Sequence, residues 1–322
     1  MDEKMKDFEE LSLELTDCCP LNCMHCSSNS GPSCTNSLPS NLVKKLVDEA
    51  ALLGASKISL GGGEPAIAEN FFSVLSYISK KNIPVEIFTS GITNFSTDIE
   101  SYSDEIIENL STYNKLKLIF SIYSGTKEIH DAVTQKQGSF EATLDSLRKC
   151  LKSNINCEVN FVPLRINIQD FETLIDLVES YGLNKISILR FVPQGRGHQN
   201  KELLEMSRDE EDAFITKILH LREIKDFEIR TGSPFNGIIP ENNIPCRAGF
   251  AKLVIQANGN VLPCEVFKHH RRHSWKLSVY QKTLIEILQS PQILTLRNSL
   301  QASNCLKCPI HSLSRTREKQ SV

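Results

Sequence analysis

Leu11-Ser-Leu-Glu-Leu-Thr-Asp-Cys-Cys-Pro-Leu-Asn-Cys-Met-His-Cys26 is the stretch on which the reading of this chain turns. Its opening residues, Leu11–Leu15, form a short β-like run. Cys19, Cys23 and Cys26 follow at x3 and x2 spacing, which lets three thiolates converge on one face of a compact loop. A cubane iron–sulfur cluster held by three cysteines keeps one iron open for a non-protein ligand, and an open iron is where chemistry can occur. The competing reading is a structural zinc, with Cys34 completing a four-thiolate tetrahedron. A second set, Cys246, Cys264, Cys305 and Cys308, lies toward the other end of the chain.

The bulk numbers narrow the class. A chain of 322 residues suits one barrel-sized unit plus an appendage. Its 40% hydrophobic and 23% charged residues are ordinary for a globular protein. A formal net charge of −3 gives no polyanion-binding signal, so no nucleic-acid partner is expected. No apolar run approaches the roughly 20 residues needed to span a bilayer. The acidic opening, Met1 to Glu10, has no signal-peptide core, so a cytoplasmic protein is expected. Eleven cysteines, an odd number, in clusters of C-x3-C-x2-C and C-x2-C read as metal ligands rather than disulfides.

From Leu11 to Leu221, β-like runs alternate with amphipathic stretches. Strands are expected at Leu11–Leu15, Lys57–Leu60, Val85–Thr89, Leu116–Ile122, Glu158–Val162 and Lys185–Phe191. Helices are expected at Ser40–Leu53, Phe71–Lys80, Asp98–Leu110, Ser139–Lys152, Phe171–Tyr181 and Arg208–Leu221, with Ser40, Ser139 and Ser207 as N-caps and Gly54 and Gly182 as stops. Six β/α repeats with short loops argue for parallel strands and right-handed crossovers. Two units short of a closed eight-fold barrel, the chain reads as an α/β fold, an open, partial (β/α)6 TIM-like barrel over residues 1–230. Residues 231–322 form a small C-terminal hairpin–helix unit: Asn258-Gly259 marks a hairpin turn between Ala251–Gln256 and Asn260–Leu262, and a helix follows near Leu284–Gln289. Its slight core calls for a metal staple.

Gly61-Gly62-Gly63-Glu64-Pro65 directly follows the second strand. Glycines there let the backbone approach a ligand closely, and Glu64 offers a carboxylate to a cationic group. With Cys19-x3-Cys23-x2-Cys26, this turn makes the chain similar to the radical S-adenosylmethionine (SAM) superfamily. The resemblance continues through Phe120-Ser121-Ile122-Tyr123-Ser124 and His130-Asp131-x2-Thr134-x3-Gly138-Ser139-Phe140. It implies that Cys19, Cys23 and Cys26 hold a [4Fe–4S] cluster whose open iron is chelated by SAM, with Gly62, Gly63 and Glu64 on the methionyl amine. Ser121, ending strand four, is then a candidate for the ribose or carboxylate, and Ser90 near strand three is another. The resemblance also implies reductive cleavage of SAM to a 5′-deoxyadenosyl radical that takes a substrate hydrogen. His25, where this family usually has an aromatic residue, is expected to pack over the cluster and not to ligate it.

Cys246-Arg-Ala-Gly249, Asn258-Gly-Asn-Val-Leu-Pro-Cys264 and Cys305-Leu-Lys-Cys308 resemble the auxiliary-cluster extension of SPASM and twitch enzymes. No cysteine follows Cys308, so the twitch form is implied, with one fully ligated auxiliary [4Fe–4S] cluster serving electron transfer or support; a zinc ribbon is the rival. Arg190 is the candidate catalytic residue, as a clamp for a carboxylate or phosphate, with Arg196 nearby. Asn160 and Asn167 flank strand five, where an adenine contact is expected. Cys150 and Cys157 are expected to pack as small hydrophobes. Cys34 is a thiol in the cluster loop, and Lys268–His273 is a solvated basic face.

The resemblance implies radical oxidation or rearrangement at an unactivated C–H bond. The substrate is either a ribosomally made peptide or a small metabolite such as a sugar, aminocyclitol or nucleoside. Electrons come from a flavodoxin- or ferredoxin-type reductant. About ten residues precede the first strand, so no N-terminal peptide-recognition domain is expected. A non-catalytic iron–sulfur or zinc scaffold is the alternative from another class, and it would not need Gly62-Gly63-Glu64-Pro65.

Overall fold

The computed structural model describes residues 8–96, 98–240, 242–268 and 276–302. In chain order the elements are β1 (Glu10–Thr16), α1 (Ser40–Leu52), β2 (Lys57–Gly62), α2 (Phe71–Lys80), β3 (Val85–Thr89), α3 (Asp104–Ser111) and β4 (Leu116–Ser121). Next come α4 (Lys127–Thr134), α5 (Ser139–Lys152), β5 (Asn156–Phe161), α6 (Phe171–Ser180), β6 (Lys185–Ile188), α7 (Arg196–Gln199), α8 (Lys201–Leu204) and α9 (Arg208–Ile224). The chain continues through β7 (Glu228–Thr231), β8 (Lys252–Ile255), β9 (Val261–Leu262), α10 (Leu284–Leu288) and α11 (Pro291–Ala302).

One apolar rhythm repeats along the outer layer. Helix α1 buries Val43, Leu46, Val47 and Ala50. The same i, i+3, i+4, i+7 spacing recurs as Phe71, Val74, Leu75 and Ile78 in α2, and as Phe171, Leu174, Ile175 and Val178 in α6. A stripe at that spacing occupies one face of a helix, so each packs onto the sheet and leaves its polar face to solvent.

The strands form one sheet in the order β7-β6-β5-β4-β3-β2-β1-β8-β9. Strands β7 to β1 and β8 pair in parallel, and the β8–β9 hairpin is antiparallel. No pairing joins β7 to β9, so the barrel is open, as expected. It is larger than a six-strand reading allows: β7 is a seventh parallel strand, and β8 of the C-terminal unit lies directly beside β1, with Glu10 opposite Lys252 and Leu13 opposite Ile255. Leu253, Val254, Ile255, Leu277 and Leu284 accordingly belong to the same buried core as the barrel strands. The expected boundary at 230/231 falls inside β7, and the residues beyond it share the core of the barrel.

Alternation along the strands separates two faces. Leu11, Leu13 and Leu15 are fully buried on the helix side of β1. On the other face, charges of alternating sign interlock from strand to strand. Lys252 pairs with Glu10 at 3.1 Å, Glu10 with Lys57 at 3.5 Å, Lys57 with Glu86 at 2.8 Å, and Glu86 with Lys117 at 3.1 Å. Glu158 then bridges Lys117 at 3.5 Å and Arg230 at 2.6 Å. The concave face is thus lined by ions that satisfy one another.

Two expected caps differ. Ser40 and Ser139 are the first helical residues, and Pro39 and Gly138 precede them without side-chain caps. The Ser139 hydroxyl instead donates to Asp131 at 2.9 Å, joining α5 to α4. Ser207 does cap α9, in a reciprocal box with Glu210.

Candidate functional site

The cysteine loop leaves the C-terminal end of β1 and is seated from several sides. Its apolar members act as pegs: Leu21 packs with Ile92 and Ala142, and Met24 with Tyr123, Val133 and Leu204. The amides of Asn22 and Met24 donate to the carbonyls of Thr134 and Val133 at the end of α4, at 3.1 and 2.9 Å. From the opposite flank, Arg196 donates through Nε to the Cys23 carbonyl at 2.9 Å and through Nη2 to the Ser30 carbonyl at 2.6 Å. The Arg196 amide reaches the Cys26 carbonyl at 3.1 Å, and Asn200 Nδ2 the Met24 carbonyl at 3.0 Å.

The three thiols are half-buried and free. Burial, then the neighbouring Cys26 sulfur, pushes the Cys23 thiol up to about 12, against a pull downward from Arg196. Cys19 is held well above its ordinary value by burial, then by Cys23 and Glu64. Sulfurs crowded this way lose their protons together only when a cation takes their charge, which is what iron supplies. Among the described residues no three His, Cys, Asp or Glu side chains converge on a single ion. Cys34 is turned aside, its thiol donating to the Asn29 carbonyl at 3.4 Å.

His25 packs edge-on to Tyr123 at 4.6 Å between ring centroids, and Tyr123 stacks at 5.5 Å on His130. Burial, then the charge of Arg196, lowers His25 to about 4, so it is neutral at physiological pH. His130 is likewise lowered by burial to about 4, and its Nδ1 accepts the Tyr123 amide at 3.2 Å.

The Gly62–Glu64 turn abuts the cysteine loop, though the reason for its glycines differs from the expected one. A Cβ on Gly62, at φ +114°, would lie 2.2 Å from the Thr16 carbonyl, and one on Gly63 would lie 1.9 Å from that of Cys18. The close approach is to the chain's own backbone: Gly63 and Glu64 donate their amides to Thr16 and Cys18 at 2.7 and 2.9 Å. Glu64 is 1% exposed and points inward. Its carboxylate accepts from Thr89 at 2.8 Å, Tyr102 at 3.0 Å, and the Ser90 amide and hydroxyl at 2.9 and 2.7 Å. Both Glu64 and Ser90 side chains are therefore committed to each other. What this turn presents to a ligand is backbone.

Ser121 and Asn160 lie side by side in register at the ends of β4 and β5. Asn160 is 5% exposed, and its Oδ1 has no hydrogen-bond partner among the described residues. An orphaned buried acceptor at the strand ends beside the cysteine loop fits a bound ligand donating to it. Asn167 is different: it bonds the Leu164 amide and the Tyr123 and Val162 carbonyls, and closes its own loop.

Arg190 donates to Glu211 of α9 at 2.9 Å and to the Pro234 carbonyl at 3.0 Å. Arg196 grips the cysteine loop.

Lys268, expected on a solvated basic face, is buried instead. Its Nζ lies 2.5 Å from Glu14 on β1 and 2.6 Å from Ser28 in the cysteine loop, with both ion-pair side chains 8% exposed. Lys252 pairs with Glu265 at 2.8 Å, next to Cys264. A buried ionic seam thus joins β1, the cysteine loop and the C-terminal unit. The alternation of Glu10, Ser12 and Glu14 with leucines was the signal that β1 carries a polar face. Cys246 and Cys264 pack half-buried against the common core. Cys305, Cys308 and most of the Lys268–His273 run lie outside the described residues.

Comparison with known proteins agrees with this geometry. The family model "Radical SAM superfamily" matches residues 13–178, and "Iron-sulfur cluster-binding domain" (SPASM) matches residues 246–309. Mycofactocin maturase MftC of Mycobacterium ulcerans is 24% identical over 269 residues, covering 81% of this chain and 69% of the relative. The AdoMet-dependent heme synthase of Methanosarcina barkeri is 28% identical over 196 residues, covering 60% of this chain and 53% of the relative. The chain thus spans between about half and seven-tenths of the length of these two relatives. Streptococcus suis SuiB bound to S-adenosylmethionine shares the fold, with a TM-score of 0.74 at 17% identity over 94% of this chain and 71% of SuiB. SuiB has also been solved bound to its precursor peptide SuiA.

Proposed function

The chain belongs to the radical SAM superfamily, and we propose that it oxidatively modifies a ribosomally synthesised peptide. One arrangement carries the reading: three crowded thiols in a braced loop, beside the Gly62–Glu64 turn and the orphaned Asn160 acceptor, at the C-terminal end of a parallel sheet. In parallel α/β folds, that end is where ligands bind.

A [4Fe–4S] cluster with SAM supplies one-electron cleavage of the C5′–S bond and a 5′-deoxyadenosyl radical able to take a hydrogen atom from an unactivated carbon. The chain's own residues hold and orient. Cys19, Cys23 and Cys26 ligate through sulfur, and backbone of the Gly62–Glu64 turn receives the amine. Ser121 and Asn160 offer a hydroxyl and a free carbonyl oxygen to the nucleoside. Glu64 keeps the turn in place by tying it to Thr89, Ser90 and Tyr102. Cys246 and Cys264, with Cys305 and Cys308, are proposed to ligate one auxiliary cluster. A flavodoxin- or ferredoxin-type protein is the proposed reductant. Free thiols and no helix long and apolar enough to cross a membrane, among the described residues, suit a reducing cytoplasm.

The peptide assignment draws its support from MftC and SuiB. The match to the heme synthase supports a second reading, a small metabolite as substrate. One experiment separates them. The anaerobically reconstituted, dithionite-reduced protein is incubated with SAM and short peptides encoded beside its gene, or with porphyrin precursors. The peptide reading predicts 5′-deoxyadenosine together with peptide mass reduced by two hydrogens per modification. Turnover of the porphyrin alone would overturn it.

A further inference from the structure

The segment following β6 makes a denser set of contacts with the cysteine loop than a connecting loop needs. The Cys23, Met24, Cys26 and Ser30 carbonyls each accept from Arg196 or Asn200. Gly195 enters at φ +54°, and a Cβ there would fall 2.6 Å from the Cys26 carbonyl oxygen and 2.7 Å from Asn29 Oδ1. A side chain at 195 would therefore push the two segments apart. At Gly197 a Cβ would meet the His25 carbonyl oxygen at 3.0 Å.

Arg196 is the centre of this contact. Its planar fork bonds two carbonyls of the loop, Cys23 and Ser30, while its amide holds a third, Cys26. Its guanidinium lies against the cysteine loop, 2.9 Å from the Cys23 carbonyl oxygen and 2.6 Å from that of Ser30. A guanidinium is always charged and its fork is rigid, so one side chain fixes both a geometry and a field. Carbonyls turned toward Arg196 also keep their negative ends directed at a cation.

We propose that Arg196 is a positioning residue for the cluster held by Cys19, Cys23 and Cys26, fixing the loop backbone and stabilising the reduced, more negative state of the cluster. This rests on the reading of those cysteines as cluster ligands. Lysine at 196 keeps the charge and loses the fork; glutamine loses the charge; Asn200→Ala loosens the loop at Met24 and leaves the charge untouched. The three variants therefore separate field from geometry.

The test is made on reconstituted protein that also carries Cys246→Ala and Cys264→Ala, so that the first cluster is read by itself. Midpoint potential comes from a redox titration followed by electron paramagnetic resonance, and cluster retention from iron release to a chelator. Arg196→Gln should move the potential negative and release iron about tenfold faster, as expected for loss of charge-assisted hydrogen bonds. Arg196→Lys should restore most of the potential but not the retention, and Asn200→Ala should speed release at unchanged potential. Arg196→Gln with wild-type potential and wild-type retention overturns the proposal. If that variant fails to fold by circular dichroism, the other two decide: Arg196→Lys with wild-type retention, together with Asn200→Ala with wild-type release, overturns it. A parent protein that takes up no iron at Cys19, Cys23 and Cys26 defeats the ligand assignment instead, and is recognised as such before any variant is compared.

Discussion

The two cysteine regions are built on opposite plans. Cys19, Cys23 and Cys26 come from one short loop that is anchored by backbone bonds to α4, to the residues around α7 and to the Gly62–Glu64 turn. Cys246 and Cys264 come from a linker and from the end of a hairpin, and Cys305 and Cys308 from further along the chain. The first loop is braced by hydrogen bonds along its whole length. The second set, as proposed, would gather its ligands from separate segments, which would couple metal binding to assembly of that unit. A braced site suits chemistry that depends on placement. A ligand set gathered from afar suits a fully coordinated cluster that carries electrons or braces the chain.

Removing ligands tests this contrast with the largest effects. Cys23→Ala should lower iron by about four atoms per chain and abolish 5′-deoxyadenosine formation. Cys264→Ala should remove a similar amount of iron while sparing SAM cleavage in the absence of substrate. If Cys264→Ala also strips the first cluster, the two sites are not independent and the comparison breaks. Lys268 is the junction between them. Lys268→Met leaves Glu14 buried and unpaired, and should cost about 3–5 kcal/mol in denaturant unfolding of the metal-free protein. Adding Glu14→Leu should recover most of that; a double variant no better than the single one would show that Lys268 matters for another reason.

The histidines behind the first loop give it a pH signature. His25 and His130 titrate near 4 in the folded chain, whereas an unfolded histidine titrates near ~6.5. Between these values the unfolded state binds more protons, so stability is lost as pH falls from about 6.5 toward 4, by at most about 3 kcal/mol per histidine. Replacing His130 by Phe should flatten that slope by its share, and an unchanged slope would refute the assignment. Smaller still is Glu64→Gln. Its amide group opposes donors from Thr89, Ser90 and Tyr102, so about 1–3 kcal/mol is expected, with slower SAM cleavage from a loosened turn. Wild-type melting and cleavage would deny Glu64 its bracing role.

What could be read from the chain beforehand follows from how local each signal is. The apolar spacing in α1, α2 and α6 and the β-like runs placed six strands and their helices, because those periods are set within a single element. The Cys19–Cys26 spacing and the glycines after β2 were equally local. The seventh strand, β7, was missed because Glu228–Thr231 is four residues long and half exposed, with little apolar pattern. The pairing of β8 with β1 was invisible because it joins segments some 240 residues apart and no turn chemistry marks it. Side-chain destinations were least legible. Neither the Thr89, Tyr102 and Ser90 partners of Glu64 nor the Glu211 partner of Arg190 could be read from the sequence. A motif discloses the residue types a site needs, whereas which partner each polar group meets is decided by elements far away in sequence.

The account stands most directly on the claim that the first cluster has an open iron and the second does not. Electron paramagnetic resonance of the reduced protein, recorded with and without SAM for the Cys246→Ala, Cys264→Ala protein and for the Cys19→Ala, Cys23→Ala, Cys26→Ala protein, tests that claim. The account predicts that SAM changes the spectrum of the first protein and leaves that of the second unaltered. A SAM-induced change in the second, or none in the first, would contradict it.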